Sequence, residues 1–180
     1  MPLDQLAPRG DTDTTPQWSG IGPVRRARSG RRALLVVFAL VLAAGATGLL
    51  GVRKAQVRAS GGGYDLLVEY PRVTRPGHAV PLLVEVRRAG GFGEEPVTVS
   101  MRAGYFRLFD ENGVMPAPSK ETATGRDLVW EFDPPPGEVL RVYFDTRTGP
   151  NRQRGARGDA AVLVDGEPVV AVSFRTWVAP

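Results

Sequence analysis

Hydrophobic positions along the chain follow two patterns, separated by a glycine triplet at residues 61–63. Residues 33–52 form twenty consecutive positions without a charge or a proline. An uncharged stretch of this length predicts a helix of about 30 Å, the thickness of a bilayer's hydrocarbon core. From Tyr64 onward, apolar and polar residues alternate over several short segments. This alternation predicts half-buried strands, because successive side chains of a strand leave opposite faces.

The alternating segments predict seven or eight short strands after the glycine triplet. Residues 80–86 and 140–144 are clear examples, in which every second residue is apolar. Turn sequences separate the segments, and Asp165-Gly166 predicts a tight hairpin because apolar alternation continues on both sides of it. No sustained helical period follows Gly63. The sequence therefore predicts an all-β domain built as an antiparallel β-sandwich of two sheets.

The two patterns together predict four segments. Residues 1–32 are expected to be a disordered cytoplasmic tail that ends in an arginine cluster, because they lack periodicity and are rich in polar residues, glycine and proline. Residues 33–52 are the predicted transmembrane helix, and residues 53–63 a stalk and glycine linker. Residues 64–180 are the predicted extracytoplasmic β-sandwich domain.

Basic residues on both sides of the apolar stretch predict its orientation. Five arginines precede the stretch, and three basic residues follow it. Because positively charged flanks stay in the cytoplasm, we expect residues 1–32 inside and residues 53–180 outside. The topology determinants are Arg25, Arg26, Arg28, Arg31 and Arg32.

Two alternatives concern the apolar stretch itself. Ala44-Gly45-Ala46 matches the cleavage site of a signal peptide, so the stretch is either retained or removed after Ala46. Retention is favoured, because apolar residues continue past that site to Val52. Small residues at Ala44, Gly48 and Gly51 would also permit a weak homodimer through the transmembrane helix.

Charge and cysteine content exclude several classes of function. Residues 1–63 carry nine Lys or Arg against three Asp, a net charge of +6, whereas residues 64–180 carry fourteen against sixteen acidic residues, a net charge of −2. The basicity therefore belongs to the predicted membrane flanks, and nucleic acid is not an expected partner of the β-domain. The chain contains no cysteine, which excludes disulfides, zinc-thiolate sites and thiol nucleophiles.

The beginning of the β-region carries a layout found in known domains. Strand-like residues 68–74 lead through Arg75-Pro76-Gly77 into a second alternating segment at residues 81–86. This layout resembles the start of bacterial immunoglobulin-like surface domains. The whole chain resembles actinobacterial single-span membrane proteins with such an ectodomain. The resemblance implies an immunoglobulin-like antiparallel β-sandwich of seven or eight strands, preceded by one transmembrane α-helix, and it carries no functional residues across.

Residues suited to catalysis or metal binding are few. His78 is the one histidine, and it follows a turn, where exposed polar side chains are common. The oxygen-bearing run at residues 110–112 lacks the ligand spacing of a calcium loop. Nucleophile and phosphate-binding motifs are also missing from the sequence. The sequence therefore predicts no catalytic residue, no metal and no cofactor.

Two groups of residues are candidate contact surfaces. The first group is aromatic and either fills the core or forms an exposed patch for a partner: Tyr105, Phe106 and Phe109. The second group is basic, in a predicted long loop before the penultimate strand: Arg147, Arg152, Arg154 and Arg157. These arginines are either solvated or in contact with anionic lipid headgroups or wall polymers.

These features favour a non-enzymatic, membrane-anchored surface protein whose β-sandwich binds a partner protein or an envelope component. The expected partners are the lipid bilayer and another membrane or envelope protein. One alternative is an anchored or secreted hydrolase of cell-wall glycans, which requires two carboxylates roughly 5–9.5 Å apart in a cleft. The strand carboxylates available for it are Glu69, Glu85, Glu131 and Asp133. A structural spacer without a ligand is the second alternative.

Overall fold

The computed structural model describes residues 24–46, 52–151 and 154–179, which form two helices and ten strands. The helices are α1 (Val24–Ala46) and α2 (Ala103–Phe106). The strands are β1 (Arg53–Gly61), β2 (Tyr64–Thr74), β3 (Leu82–Arg88), β4 (Val97–Arg102), β5 (Phe109–Met115), β6 (Lys120–Thr124), β7 (Asp127–Phe132), β8 (Val139–Thr148), β9 (Ala156–Val164) and β10 (Glu167–Val178). The chain divides after Ala46 into two compact units, of which the first contains α1 and the second all the strands.

Helix α1 starts earlier than the sequence predicts. It begins at Val24, so residues 24–32 are helical rather than part of a disordered tail. Arginine is a good helix former, which explains why the helix includes the arginine cluster. Residues 1–23 of the predicted tail and residues 47–51 of the predicted span lie outside the described residues. Within the part that is described, no helix combines the length and the apolarity that crossing a bilayer requires.

Residues 53–61 form strand β1, which corrects the prediction of a stalk and linker at residues 53–63. Strand β1 pairs with β2 along its whole length. Gly62 and Gly63 lie at the turn between these two strands with φ angles of 58° and 82°, which glycine adopts without steric strain. The glycine triplet therefore closes a hairpin, and the β-domain begins at β1.

The strands form one continuous sheet that folds over on itself. Its strand order is β5-β8-β3-β2-β10-β9-β4-β7-β6, and β1 pairs with β2 outside this path. All pairs are antiparallel except β2–β10, which pair in parallel over two residues at their carboxyl ends. Five strands separate β7 from β8 in the sheet, yet the rings of Trp130 on β7 and Phe144 on β8 lie 5.0 Å apart. The sheet therefore curls until its two halves face each other.

The core lies between the two halves and consists of the inward residue of every second strand position. On β8 the alternation is complete, with Leu140, Val142 and Phe144 buried and their neighbours exposed or half-buried. Trp130 is fully buried at the centre of an aromatic cluster with Phe106 and Phe144. Each large apolar side chain buried in this way contributes about 1.5–3 kcal/mol to folding. Among the described residues, the buried core cluster lies between Leu66 and Phe174, within the β-domain.

The predicted all-β class is confirmed, and the immunoglobulin-like sandwich stays a prediction. The strand number is corrected from seven or eight to ten, because β1, β5 and β6 are present in addition to the predicted strands. The predicted hairpin at Asp165-Gly166 is confirmed. Both residues have positive φ, and Val164 pairs with Glu167. That backbone geometry matches the right-handed twist of the two strands.

Candidate functional site

A groove crosses the outer face of five neighbouring strands in one half of the sheet. One side chain from each of β6, β7, β4, β9 and β10 forms its floor, and the pairing register places these residues in a continuous row. The row consists of Thr122, Val129, Ser100, Ala161 and Ala171. None of these side chains is larger than valine, so the sheet surface is low along this row. We call this feature the cross-strand groove.

Charged residues form the two walls of the cross-strand groove. On one side, Arg102 on β4 makes an ion pair with Asp159 on β9, and Asp159 also accepts a hydrogen bond of 2.7 Å from Ser173. On the other side, Lys120 on β6 lies 3.6 Å from Glu131 on β7. Along its own strand, each of these four charged residues lies two positions from the floor row. The two pairs are on opposite sides of that row. Their long side chains therefore rise on both sides of a floor of small ones.

The volume and charge of the cross-strand groove define the ligands that it fits. It encloses about 660 Å³, and five strands at about 4.8 Å spacing give it a length of roughly 20 Å. Three cations and three carboxylates line it, so its formal charge is balanced: Arg102, Lys120, Arg126, Asp127, Glu131 and Asp159. Threonine and serine hydroxyls supply donors and acceptors along the floor. The groove suits an extended, uncharged polar chain.

The four carboxylates considered for glycan hydrolysis do not converge. Glu69 and Glu85 lie on neighbouring strands β2 and β3, whereas Glu131 and Asp133 belong to the other half of the sheet, across the core. Glu69 and Glu85 each already accept hydrogen bonds from neighbouring side chains. Glu69 accepts hydrogen bonds from Lys54 at 3.0 Å and Gln56 at 3.1 Å, which lower its pKa. Glu85 accepts a 2.8 Å hydrogen bond from Arg141, whose pKa it raises.

The residues described by the structure contain no cluster of three or more carboxylate or imidazole groups that could hold a metal ion. His78 lies exposed in the turn after Pro76, and its Nδ1 is 3.3 Å from the Pro76 carbonyl oxygen. This arrangement matches the loop position predicted for the histidine. Among the described residues, no hydrogen bond joins the His78 ring to a serine or a carboxylate.

The aromatic candidates for partner contact are buried, so the exposed-patch alternative is wrong. Tyr105, Phe106 and Phe109 are at most 8% exposed. Tyr105 and Phe106 belong to the short helix α2, and their rings pack edge-on against Phe174 and Trp130 respectively. A helical turn places both side chains on the core side, whereas consecutive residues of a strand would point to opposite faces. These residues fill the core.

The predicted basic loop is mostly strand. Arg147 is exposed on β8 and Arg157 is exposed on β9, so neither lies in a loop. Arg154 is exposed in the short connection between these strands, and Arg152 lies outside the described residues. The correction follows from strand pairing, since β8 and β9 each extend beyond their apolar alternation. Contact of these arginines with an anionic surface stays a prediction.

A second surface feature lies where β1, β2 and β10 meet. Trp177 is 52% exposed, and the Arg175 guanidinium lies 4.0 Å from the centre of its ring. Beside the tryptophan is a cleft of about 650 Å³, which Arg53, Lys54 and Arg72 line together with Val73. Guanidinium stacking on an indole ring is a favourable cation–π contact and fixes the orientation of both side chains.

The sequence did not single out either surface. Ser100 and Val129 were predicted to point outward from strands, whereas Thr122 lies on β6, which was not predicted as a strand. The pairing of β4 with β9 and of β9 with β10 decides that the floor residues form one row. Long-range pairing leaves no local signal. The exposure of Trp177 could have been predicted from the sequence, because the alternation of β10 places this large side chain on the outward face.

Comparison with family models and with curated proteins finds no match. One similar solved structure is described as "AvmM Catalyzes Macrocyclization in Alchivemycin A Biosynthesis". Its sequence is 13% identical, the match covers 69% of this chain and 97% of that chain, and the TM-score is 0.33. At this level of similarity the neighbour assigns neither a family nor an activity to this chain.

Proposed function

We propose that this chain is a non-enzymatic, single-span membrane protein that displays its β-domain, an immunoglobulin-like sandwich, outside the cytoplasm. The domain binds an extended, uncharged polar segment of a partner protein or envelope polymer in the cross-strand groove. The observation that carries this proposal is the groove itself, a row of small side chains across five strands between two charged walls. Such a surface offers shape and hydrogen bonds without a reactive group.

Support for the anchor comes from the apolar surface of α1. Its large apolar side chains are all more than half exposed: Leu34, Leu35, Val36, Val37, Phe38, Leu40, Val41 and Leu42. Exposing this apolar surface to water costs about 25 cal/mol of free energy per Å², whereas a hydrocarbon environment solvates it. The uncharged sequence also continues beyond α1 to Val52. Together these residues provide the length that a bilayer needs.

Support for the orientation comes from charge. Five arginines precede the apolar stretch and three basic residues follow it, which favours a cytoplasmic amino terminus. The β-domain then lies outside the cytoplasm. Its core contains no cysteine, so it needs no oxidising folding machinery there.

Support for an uncharged ligand comes from the pairing of the wall charges. Arg102 is paired with Asp159, and Lys120 with Glu131. A charged ligand would have to displace one partner of such a pair and leave the other without compensation. A neutral chain instead accepts and donates hydrogen bonds at the same groups while the pairs stay intact.

The groove is tested by filling it. We expect Ala161→Phe, on the floor between Ser100 and Ala171, to weaken ligand binding at least tenfold, because a ring there occupies the space of the ligand chain. The matched control is Leu83→Phe, which adds a ring at a half-buried outward position of β3 in the other half of the sheet. Both variants are made in the full chain in detergent and titrated against arrays of uncharged oligosaccharides and uncharged peptides.

The two variants should have thermal midpoints close to that of the unmodified chain. Binding that survives Ala161→Phe at full strength would refute the groove as the site. Failure of the unmodified chain to bind any member of either array would support the spacer alternative.

A further inference from the structure

Basic and acidic residues of the β-domain are concentrated at opposite ends of its strands. The pairing register defines the ends: Val73 on β2 lies opposite both Arg53 on β1 and Trp177 on β10. At the same end, the turn after β4 reaches β10, because the Tyr105 hydroxyl lies 2.8 Å from Thr176 Oγ1. Both halves of the sheet therefore present this end together. We call it the basic pole.

The basic pole carries most of the cations of the domain. The basic residues placed there by the register and by the adjoining turns are Arg53, Lys54, Arg72, Arg75, Arg102, Arg107, Arg126, Arg147, Arg154, Arg157 and Arg175. The register places four acidic side chains at this end, Asp110, Asp127, Asp145 and Asp159, and Glu69 makes a 3.0 Å ion pair with Lys54 there. The opposite end carries Asp65, Glu94, Glu95, Glu121, Glu131, Asp133, Glu138, Asp165 and Glu167. A domain with a net charge near zero therefore has one positive and one negative end.

Some of these cations are arranged unfavourably for folding. Arg157 on β9 and Arg175 on β10 are direct cross-strand neighbours, and both are exposed. Like charges directly opposite each other destabilise a sheet. The nearest carboxylate on this face of β9, Asp159, is engaged by Arg102 and Ser173. The arginine pair therefore gains most from an anion that comes from outside the domain.

Trp177 adds an apolar group to the basic pole. Its ring is half exposed, stacks with Arg175 and stands beside the cleft lined by Arg53 and Arg72. Tryptophan surrounded by basic residues is the composition that proteins place at the headgroup level of a membrane, where the ring is partly buried and the cations meet phosphates.

We infer that the basic pole docks on anionic lipid headgroups of the membrane in which the chain is anchored, with Trp177 inserted at the interface. This inference rests on the proposed membrane anchor. The pole begins at Arg53, one residue after the apolar sequence ends at Val52, so the chain itself brings the pole within a few ångströms of the interface. The acidic end is repelled by the same surface. The cross-strand groove then lies at a fixed height above the lipid.

The test uses the full chain with Asn151, an exposed residue at the basic pole, replaced by the single cysteine of the chain (Asn151→Cys) and labelled with a fluorophore. The protein is incorporated into nanodiscs that contain a headgroup-level quencher lipid, either in phosphatidylcholine alone or with added phosphatidylglycerol. We expect strong quenching with phosphatidylglycerol and weak quenching without it. High salt should remove the difference, because exposed charges are screened.

The matched variants neutralise three basic residues at each end of the β-domain. In Arg72→Gln/Arg154→Gln/Arg157→Gln, the ratio of docked to free domain should fall on the order of 100-fold, since each cation near an anionic surface contributes about fivefold. The control is Arg87→Gln/Arg88→Gln/Lys120→Gln at the opposite end, which should leave the quenching unchanged.

The membrane anchor and the docking of the basic pole are measured by separate signals. Incorporation into both kinds of disc reports on the anchor, and the difference in quenching reports on the pole. A chain that enters neither disc refutes the anchor, while binding to phosphatidylglycerol vesicles that the first triple variant loses still supports the pole. Quenching that is equal in both lipids, or unaffected by that variant, overturns the inference. Retention of inorganic polyphosphate without lipid-dependent quenching also overturns it, in favour of an anionic envelope polymer.

Discussion

Buried hydroxyl groups form hydrogen bonds between elements of the β-domain near the basic pole. The Thr176 hydroxyl donates a 2.6 Å hydrogen bond to the Pro71 carbonyl oxygen and lies 2.8 Å from the Tyr105 hydroxyl. Thr74 and Thr148 make a second buried pair at 2.8 Å. Burial raises the pKa of Tyr105 well above its usual range, so the phenol keeps its proton and stays a hydrogen-bond donor. These bonds fix α2 against β10.

We expect Tyr105→Phe to lower the free energy of unfolding by about 1 kcal/mol. The substitution keeps the ring in the core but leaves the Thr176 hydroxyl with one partner fewer in a buried position. The measurement is the midpoint of chemical unfolding of the full chain in detergent. Tyr143→Phe, at a side chain that is 49% exposed, is the control and should not move the midpoint. Equal midpoints for the two variants would show that the buried bond contributes nothing.

The sequence predicts the burial of some residues and leaves that of others open. The inward positions of β3 and β8 follow from alternation alone, because a strand with one covered face repeats every second residue. The aromatic residues Tyr105 and Phe106 could not be assigned in the same way. A single helical turn is too short to produce a period, so the sequence left both core filling and surface exposure open.

At the scale of elements, the pairing of β9 with β10 leaves room for glycine alone at position 158. Gly158 on β9 lies under the ring of Phe174 on β10, and a Cβ atom at this position would stand 2.5 Å from Phe174 Cε2. The aromatic ring fills the space that any larger residue would need. Strand pairing and core packing therefore depend on the same glycine.

We expect Gly158→Ala to lower the free energy of unfolding by about 1–3 kcal/mol, because the added methyl group forces the Phe174 ring out of its position in the core. Thermal unfolding of the full chain in detergent measures this change. Gly125→Ala is the control, since no atom lies within 4 Å of a Cβ built there. A midpoint for Gly158→Ala as high as that of the control would contradict the packing described for β9 and β10.

Two of the strands that the sequence missed, β1 and β6, share a physical reason. Strand β6 is exposed at every position, so it has no apolar face to detect. Strand β1 alternates only small apolar residues with polar ones, and its pairing with β2 depends on the hairpin at Gly62-Gly63. Neither strand carries the amphipathic signal on which the prediction relied. Both were therefore left as loop or stalk.

At the scale of the whole molecule, the chain combines an apolar segment, a basic pole next to it in sequence and a neutral groove on one face of the β-domain. The apolar segment and the all-β class were available from the sequence, because both depend on short-range periodicity. The pole and the groove were not, since both arise from residues that distant strands bring side by side. Both proposed surfaces are therefore properties of the strand order.

The most direct test of the central claim is the accessibility of single cysteines to a membrane-impermeant maleimide in intact cells that express the full chain. The chain has no native cysteine, so Thr122→Cys in the groove and Thr14→Cys near the amino terminus give unambiguous labels. We expect membrane-bound protein that is labelled at position 122 in intact cells and at position 14 only after lysis. Labelling at position 14 but not at position 122 in intact cells, or recovery of the protein in the soluble fraction, would contradict this claim.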